Sequence, residues 1–148
     1  MEPVANAEFF TYVTEVLAQG EPVTIRVKGH SMEPLLRNEQ DTVTLAPYGT
    51  ASPQKGDVVL FVYRGVHILH RIVRVEPSRF VMQGDGILRQ REEADAAHIL
   101  GKVILVTKAS GRSIDTDGRW WRTTSALWRL LKPVRRYLLF LDRHLWKR

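Results

Sequence analysis

The chain has 148 residues, a net charge of +6 and no cysteine, a size that supports one domain around a single core. The missing cysteines exclude disulfides, a thiol nucleophile and cysteine-ligated zinc. No apolar run approaches the roughly 18 residues that cross a bilayer, and the first residues lack the basic start and apolar stretch of a secretory signal, so the expected location is the cytoplasm. Residues 5–19 place Phe9, Val13, Val16 and Leu17 on one side of a short amphipathic helix, with Gly20 as its stop. From 23 to about 108 the pattern is mostly strand: 23–27, 42–45, 57–63, 66–75, 79–83 and 101–107 are short β-prone runs separated by Gly, Pro and Asp. Such spacing predicts a compact, mainly β domain over residues 1–109 that includes the N-terminal helix. Residues 110–118 are polar and glycine-punctuated, and read as a linker or long loop.

Residues 119–148 read as a basic amphipathic helical tail. Leu127, Leu131, Val134, Leu138, Leu141 and Leu145 advance by fours and threes, which makes one helical face, and Pro133 should kink or divide the helix. All four tryptophans lie in this segment. Nine Lys or Arg stand there against Asp142 alone, whereas the first 118 residues hold 13 basic and 15 acidic groups. Two readings follow for the tail. Tryptophans beside Lys and Arg fit a helix lying peripherally on an anionic membrane or against a partner protein. Alternatively the leucine face packs on the β domain and the charges are a solvated surface. Nucleic acid is disfavoured as a partner, because the β domain itself is slightly acidic.

Ser31 stands just beyond the first strand, on a turn that contains Gly29 and is closed by Pro34. A serine is inert at neutral pH until a base takes its proton. His70, inside the 66–75 run, is the candidate base, since histidine takes and returns a proton near neutrality. His30, His67, His98 and His144 read as structural or solvent-facing. His67 and His70 are three apart on a strand, face opposite sides and make a poor metal pair. No cofactor and no metal follow from the sequence.

Gly29-His30-Ser31-Met32-Glu33-Pro34, Lys55-Gly56-Asp57-Val58-Val59-Leu60-Phe61, His70-Arg71-Ile72-Val73, Gln83-Gly84-Asp85-Gly86 and Gly101-Lys102-Val103 occur in that order. Together, over residues 23–107, they resemble the superfamily of serine peptidases that contains type I signal peptidases and the self-cleaving LexA-type repressors. The resemblance implies a β-rich peptidase fold with Ser31 as nucleophile. Where bacterial members carry a lysine base the matching residue is His70, similar to endoplasmic-reticulum and archaeal signal peptidases. Asp85 matches the first of two aspartates in the histidine-type enzymes and is the implied catalytic acid that orients His70. The position of the second is Arg91, with Glu92, Glu93 and Asp95 as acidic neighbours. Gly29 stands where many signal peptidases have a Ser or Thr, so the resemblance puts the oxyanion on backbone N–H groups of Ser31 and a neighbour. The N-terminal spanning helix of signal peptidases has no counterpart here.

The expectation is therefore a serine endopeptidase acting on a leader or signal-like peptide through a Ser31–His70 dyad, assisted by Asp85. The competing class is a non-catalytic binding or regulatory domain of the same fold, acting through its basic tail at a membrane or partner protein.

Overall fold

The structure, a computed structural model, describes residues 3–131 and 138–142. Helix α1 spans Pro3–Ala18 and buries Val13 and Leu17. Gly20 ends it at φ 85°, a left-handed backbone that glycine adopts without a Cβ clash. Eight strands follow: β1 (Val23–Arg26), β2 (Thr42–Ala46), β3 (Val58–Tyr63), β4 (Val66–Val75), β5 (Phe80–Gln83), β6 (Glu92–Ala94), β7 (Ile99–Thr107) and β8 (Ser113–Asp115). They make one sheet in the order β1-β2-β7-β3-β4-β5-β6, with β8 also on β7, and every pairing is antiparallel. The mainly β architecture expected from the sequence is what the chain adopts.

Strand β3 shows why the sheet has no wet face at its centre. Its residues alternate sides, so Val58 and Leu60 enter one core with Val13, Leu17, Met32, Leu36 and Val103. Val59 and Phe61 enter a second core with Ile72 and Met82. A strand covered on both sides reads as the unbroken apolar run Val58-Val59-Leu60-Phe61-Val62. Bulges interrupt the register at Thr44/Leu45, Leu60/Phe61 and Ile72/Arg74, which bends the sheet around both cores.

Two expectations need correction. The segment 110–118 contains β8, whose Ser113, Ile114 and Asp115 pair with Thr107, Val106 and Leu105, so the sheet runs through the expected linker. Helix α2 (Arg119–Leu130) then packs on the domain through Trp121, Ser125 and Trp128, all buried, while Leu127 is exposed and Leu130 is 77% exposed. The docked face is the tryptophan stripe, spaced by four and three, not the leucine face. Residues 138–142 are helical, and Leu139 is buried. Pro133, Val134, His144, Leu145 and Trp146 lie outside the described residues. No helix among the described residues is long and apolar enough to cross a membrane.

Candidate active site

After β1 the chain stays extended to Val27, where the Val27 N–H donates to the Asp41 carbonyl at 2.9 Å. It reverses at Gly29, φ 86°, whose N–H donates to Asn38 Oδ1 at 2.7 Å. A tight turn follows, with the Leu36 N–H bonded to the Met32 carbonyl at 3.0 Å. Met32 and Leu36 anchor this turn in the first core, and Ser31, half-buried, sits on its rim. Among the described residues neither the Ser31 hydroxyl nor the N–H groups of Ser31 and Met32 make a hydrogen bond. The turn therefore offers one hydroxyl and two adjacent donors to a ligand.

The loop Gln83-Gly84-Asp85-Gly86 closes over this turn. The Gly86 N–H donates to the Ser31 carbonyl at 2.7 Å, and the Asp85 N–H approaches Met32 Sδ at 3.3 Å. A Cβ on Gly84 would collide with the Ser31 carbonyl and stand 2.9 Å from His70 Nε2. One on Gly86 would stand 2.9 Å from the carbonyls of His30 and Glu33. Both glycines are required by the closeness of the two backbones, which accounts for the Gly-Asp-Gly spacing.

His70, on β4, is 6% exposed. Its Nδ1 is 2.7 Å from Glu92 Oε1, and the Phe61 ring lies beside it at 6.2 Å. A carboxylate accepts only, so Nδ1 carries the proton and the Nε2 lone pair is left free on the Gly84 side. Ser31 and His70 line one cavity of about 280 Å³ with Lys28, Met32, His67 and Leu69. A second cavity, of about 510 Å³, shares Val27, Lys28, His67 and Leu69 with it and is walled further by Phe9, Phe10, Ile25 and Leu60. The His67 ring is stacked on Phe10, with centroids 4.6 Å apart, and its desolvation lowers its pKa from the usual histidine value.

Asp85 does not orient His70. Its carboxylate takes Arg71 in a two-pronged pair at 2.9 and 2.7 Å, and both partners are buried. His70 and Arg71 are neighbours on β4 and so point to opposite sides of the sheet. Asp85 serves the Arg71 side and Glu92 the His70 side. Arg71 also donates to the Gly56 carbonyl at 2.9 Å and lies 5.7 Å from the Trp121 ring centre. Trp128 Nε1 donates to the Asp85 carbonyl at 2.9 Å, which ties α2 to the loop over Ser31.

The other candidates fall outside the pair. Glu93 is half-exposed and bonded to Arg79 at 2.9 Å. Asp95 holds His98 at 2.6 Å on the surface, and His30 is exposed with Nδ1 on Glu33 at 2.9 Å. Arg91 donates to Gln83 Oε1 at 3.1 Å. Arg71 stood in a quoted motif without a role. Glu92 could be singled out only by knowing that Glu92-Glu93-Ala94 is a strand paired with β5, and its composition argues against that. No protein-family model matches the chain and no curated protein matches it significantly.

Proposed function

We propose that the chain is a serine endopeptidase, resembling signal peptidases and LexA-type proteins, in which Ser31 is the nucleophile, His70 the base and Glu92 the acid that holds His70. One observation carries the reading: a buried histidine is fixed by a buried carboxylate at Nδ1, and its Nε2 borders the same Gly84 position as the Ser31 backbone, in a cavity that both residues line. Ser31 Oγ attacks a peptide carbonyl and transfers its proton to Nε2. The oxyanion rests on the free N–H groups of the Ser31–Met32 turn. The imidazolium, stabilised by Glu92, returns the proton to the leaving amine, and water activated by His70 then clears the acyl-enzyme. Ser31 Oγ and Nε2 make no hydrogen bond with each other in this structure, and the reading requires that substrate entry bring them together. The larger cavity, with Phe9, Phe10, Ile25 and Leu60 in its wall, would take an apolar side chain of the substrate beside the cleaved bond, as in a leader or signal-like segment.

The test is acylation of Ser31 by a β-lactam or lipopeptide probe, read by mass spectrometry. A single adduct on Ser31 that is lost in Ser31→Ala and in His70→Ala supports an activated nucleophile. A folded wild-type protein that takes no probe, or labels equally in His70→Ala, sinks the dyad and leaves the binding-domain alternative.

A further inference from the structure

On the far side of β4 from His70, a cavity of about 480 Å³ lies between the sheet and α2. Five cations line it, Lys55, Arg71, Lys102, Arg122 and Arg129, against the two carboxylates of Asp57 and Asp117. Those acids are already engaged: Asp57 accepts from the Tyr48 hydroxyl at 2.6 Å and the Gln54 N–H at 3.1 Å, and Asp117 stands 3.8 Å from Arg122. Arg71 is neutralised from behind by Asp85. The Arg129 guanidinium makes no hydrogen bond or ion pair among the described residues. Burial and the nearby Arg71 charge both lower its pKa, against the opposing pull of Asp85. The cavity is thus left with surplus positive charge in a partly desolvated place.

A second observation is independent of charge. Ser125, in the same wall, is 3% exposed, and its hydroxyl has no hydrogen-bond partner. Buried hydroxyls without partners are rare, and burying one costs about 1–3 kcal/mol when nothing occupies the site it faces. A mid-helix serine points to solvent or bonds the carbonyl four residues back, and this one does neither.

We infer that the cavity between α2 and the sheet is a binding site for a phosphate group, free or esterified as in an anionic lipid headgroup, held by Arg129 and the Ser125 hydroxyl with Lys55 and Lys102 at its rim. A phosphate supplies acceptors for the serine and for the guanidinium fork, and its charge removes the crowding between Arg129 and Arg71. The volume is more than a bare ion needs and leaves room for an ester substituent. This site is independent of the peptidase reading, since it needs neither Ser31 nor His70.

The experiment is titration of the folded protein with inorganic phosphate, followed by calorimetry and by the rise in Tm, against sodium chloride at matched ionic strength. Saturable binding is expected for phosphate alone. Arg129→Gln and Ser125→Ala should each weaken it about tenfold, the worth of a hydrogen bond to a charged group. Without phosphate, Ser125→Ala should be as stable as the wild type or more so, because it removes an unsatisfied hydroxyl, and Arg129→Gln should cost little, because it relieves the repulsion with Arg71. Vesicles containing phosphatidic acid distinguish the sources: capture that needs Arg129 and is competed by phosphate identifies a lipid headgroup, and phosphate binding without capture identifies a free phosphate. The inference is overturned if phosphate does no more than chloride, if binding ignores Arg129→Gln and Ser125→Ala, or if Ser125→Ala destabilises the phosphate-free protein.

Discussion

Glu92→Gln separates two jobs that a buried carboxylate can do for His70. An amide holds the ring through either its oxygen or its NH2, so the ring stays in place, but the Nδ1–H tautomer is no longer enforced and the imidazolium loses its counter-charge. Turnover, or probe acylation in its stead, should fall on the order of a thousandfold with little change in the urea midpoint. Asp85→Asn should do the reverse: it leaves Arg71 charged and buried without its partner, and stability should drop by about 3–5 kcal/mol. Gly84→Ala tests the close approach of the loop to the serine turn, because the added methyl displaces either the Ser31 carbonyl or the His70 ring. A shift of about 1 Å there should cost about a hundredfold in acylation rate. His67 gives a pH signature. Its folded pKa lies below the 6.5 of the unfolded chain, so below pH 6.5 the unfolded state binds a proton that the folded state does not. Stability should therefore fall with pH from 6.5 downward, and Tm against pH in His67→Gln should lose that component. Ser31 and His70 stood out in the sequence because each sits in a distinctive local pattern, and the structure places both on one cavity. The carboxylate bonded to His70 did not: spacing along the chain picks out Asp85, and only the strand register reveals that Asp85 and Glu92 serve opposite sides of β4.

Among the elements, α2 has the largest part in setting the site that local pattern did not disclose. Its tryptophans suggested an interfacial helix, yet Trp121 and Trp128 enter the domain, one beside Arg71 and one bonded to the Asp85 carbonyl. A period of 3.6 residues shows that two faces exist without showing which of them finds a partner. The short strands β6 and β8 were missed for a related reason. Glu92-Glu93-Ala94 and Ser113-Ile114-Asp115 have weak strand propensity and are extended because neighbouring strands offer open edges. Trp128→Ala should cost about 3 kcal/mol, the usual figure for an aromatic lost from a packed site. It should also slow probe acylation by more than a surface change such as Leu130→Ala does, since the loop over Ser31 loses a support. Acylation at the wild-type rate in a folded Trp128→Ala protein would break the link between α2 and the serine turn.

Across the whole molecule the described segments form one packed unit rather than a domain with a loose tail. The long strands and the mainly β class could be read from alternation and turn residues, whereas the closure of the unit by β8, α2 and the 138–142 segment depends on contacts between distant parts of the chain. Urea unfolding of a Trp146→Phe variant, followed by tryptophan fluorescence, which then reports on α2, and by far-ultraviolet circular dichroism, which reports on the sheet, should give coincident transitions. An earlier fluorescence transition would mean that α2 detaches first.

The pair between Arg37 and Asp142, at 3.2 and 2.7 Å, joins residues 105 apart in sequence. Arg37 directly follows Leu36, the inner anchor of the serine turn, and its own N–H is held by Asp41, which Lys108 holds in turn at 2.6 Å. The brace behind Ser31 is therefore completed only by chain that leaves the ribosome more than a hundred residues after the serine does. A nascent chain displays its hydroxyl early and secures it late. If Ser31 is the nucleophile, the order of synthesis keeps it idle while unfinished chains are most open to being cut.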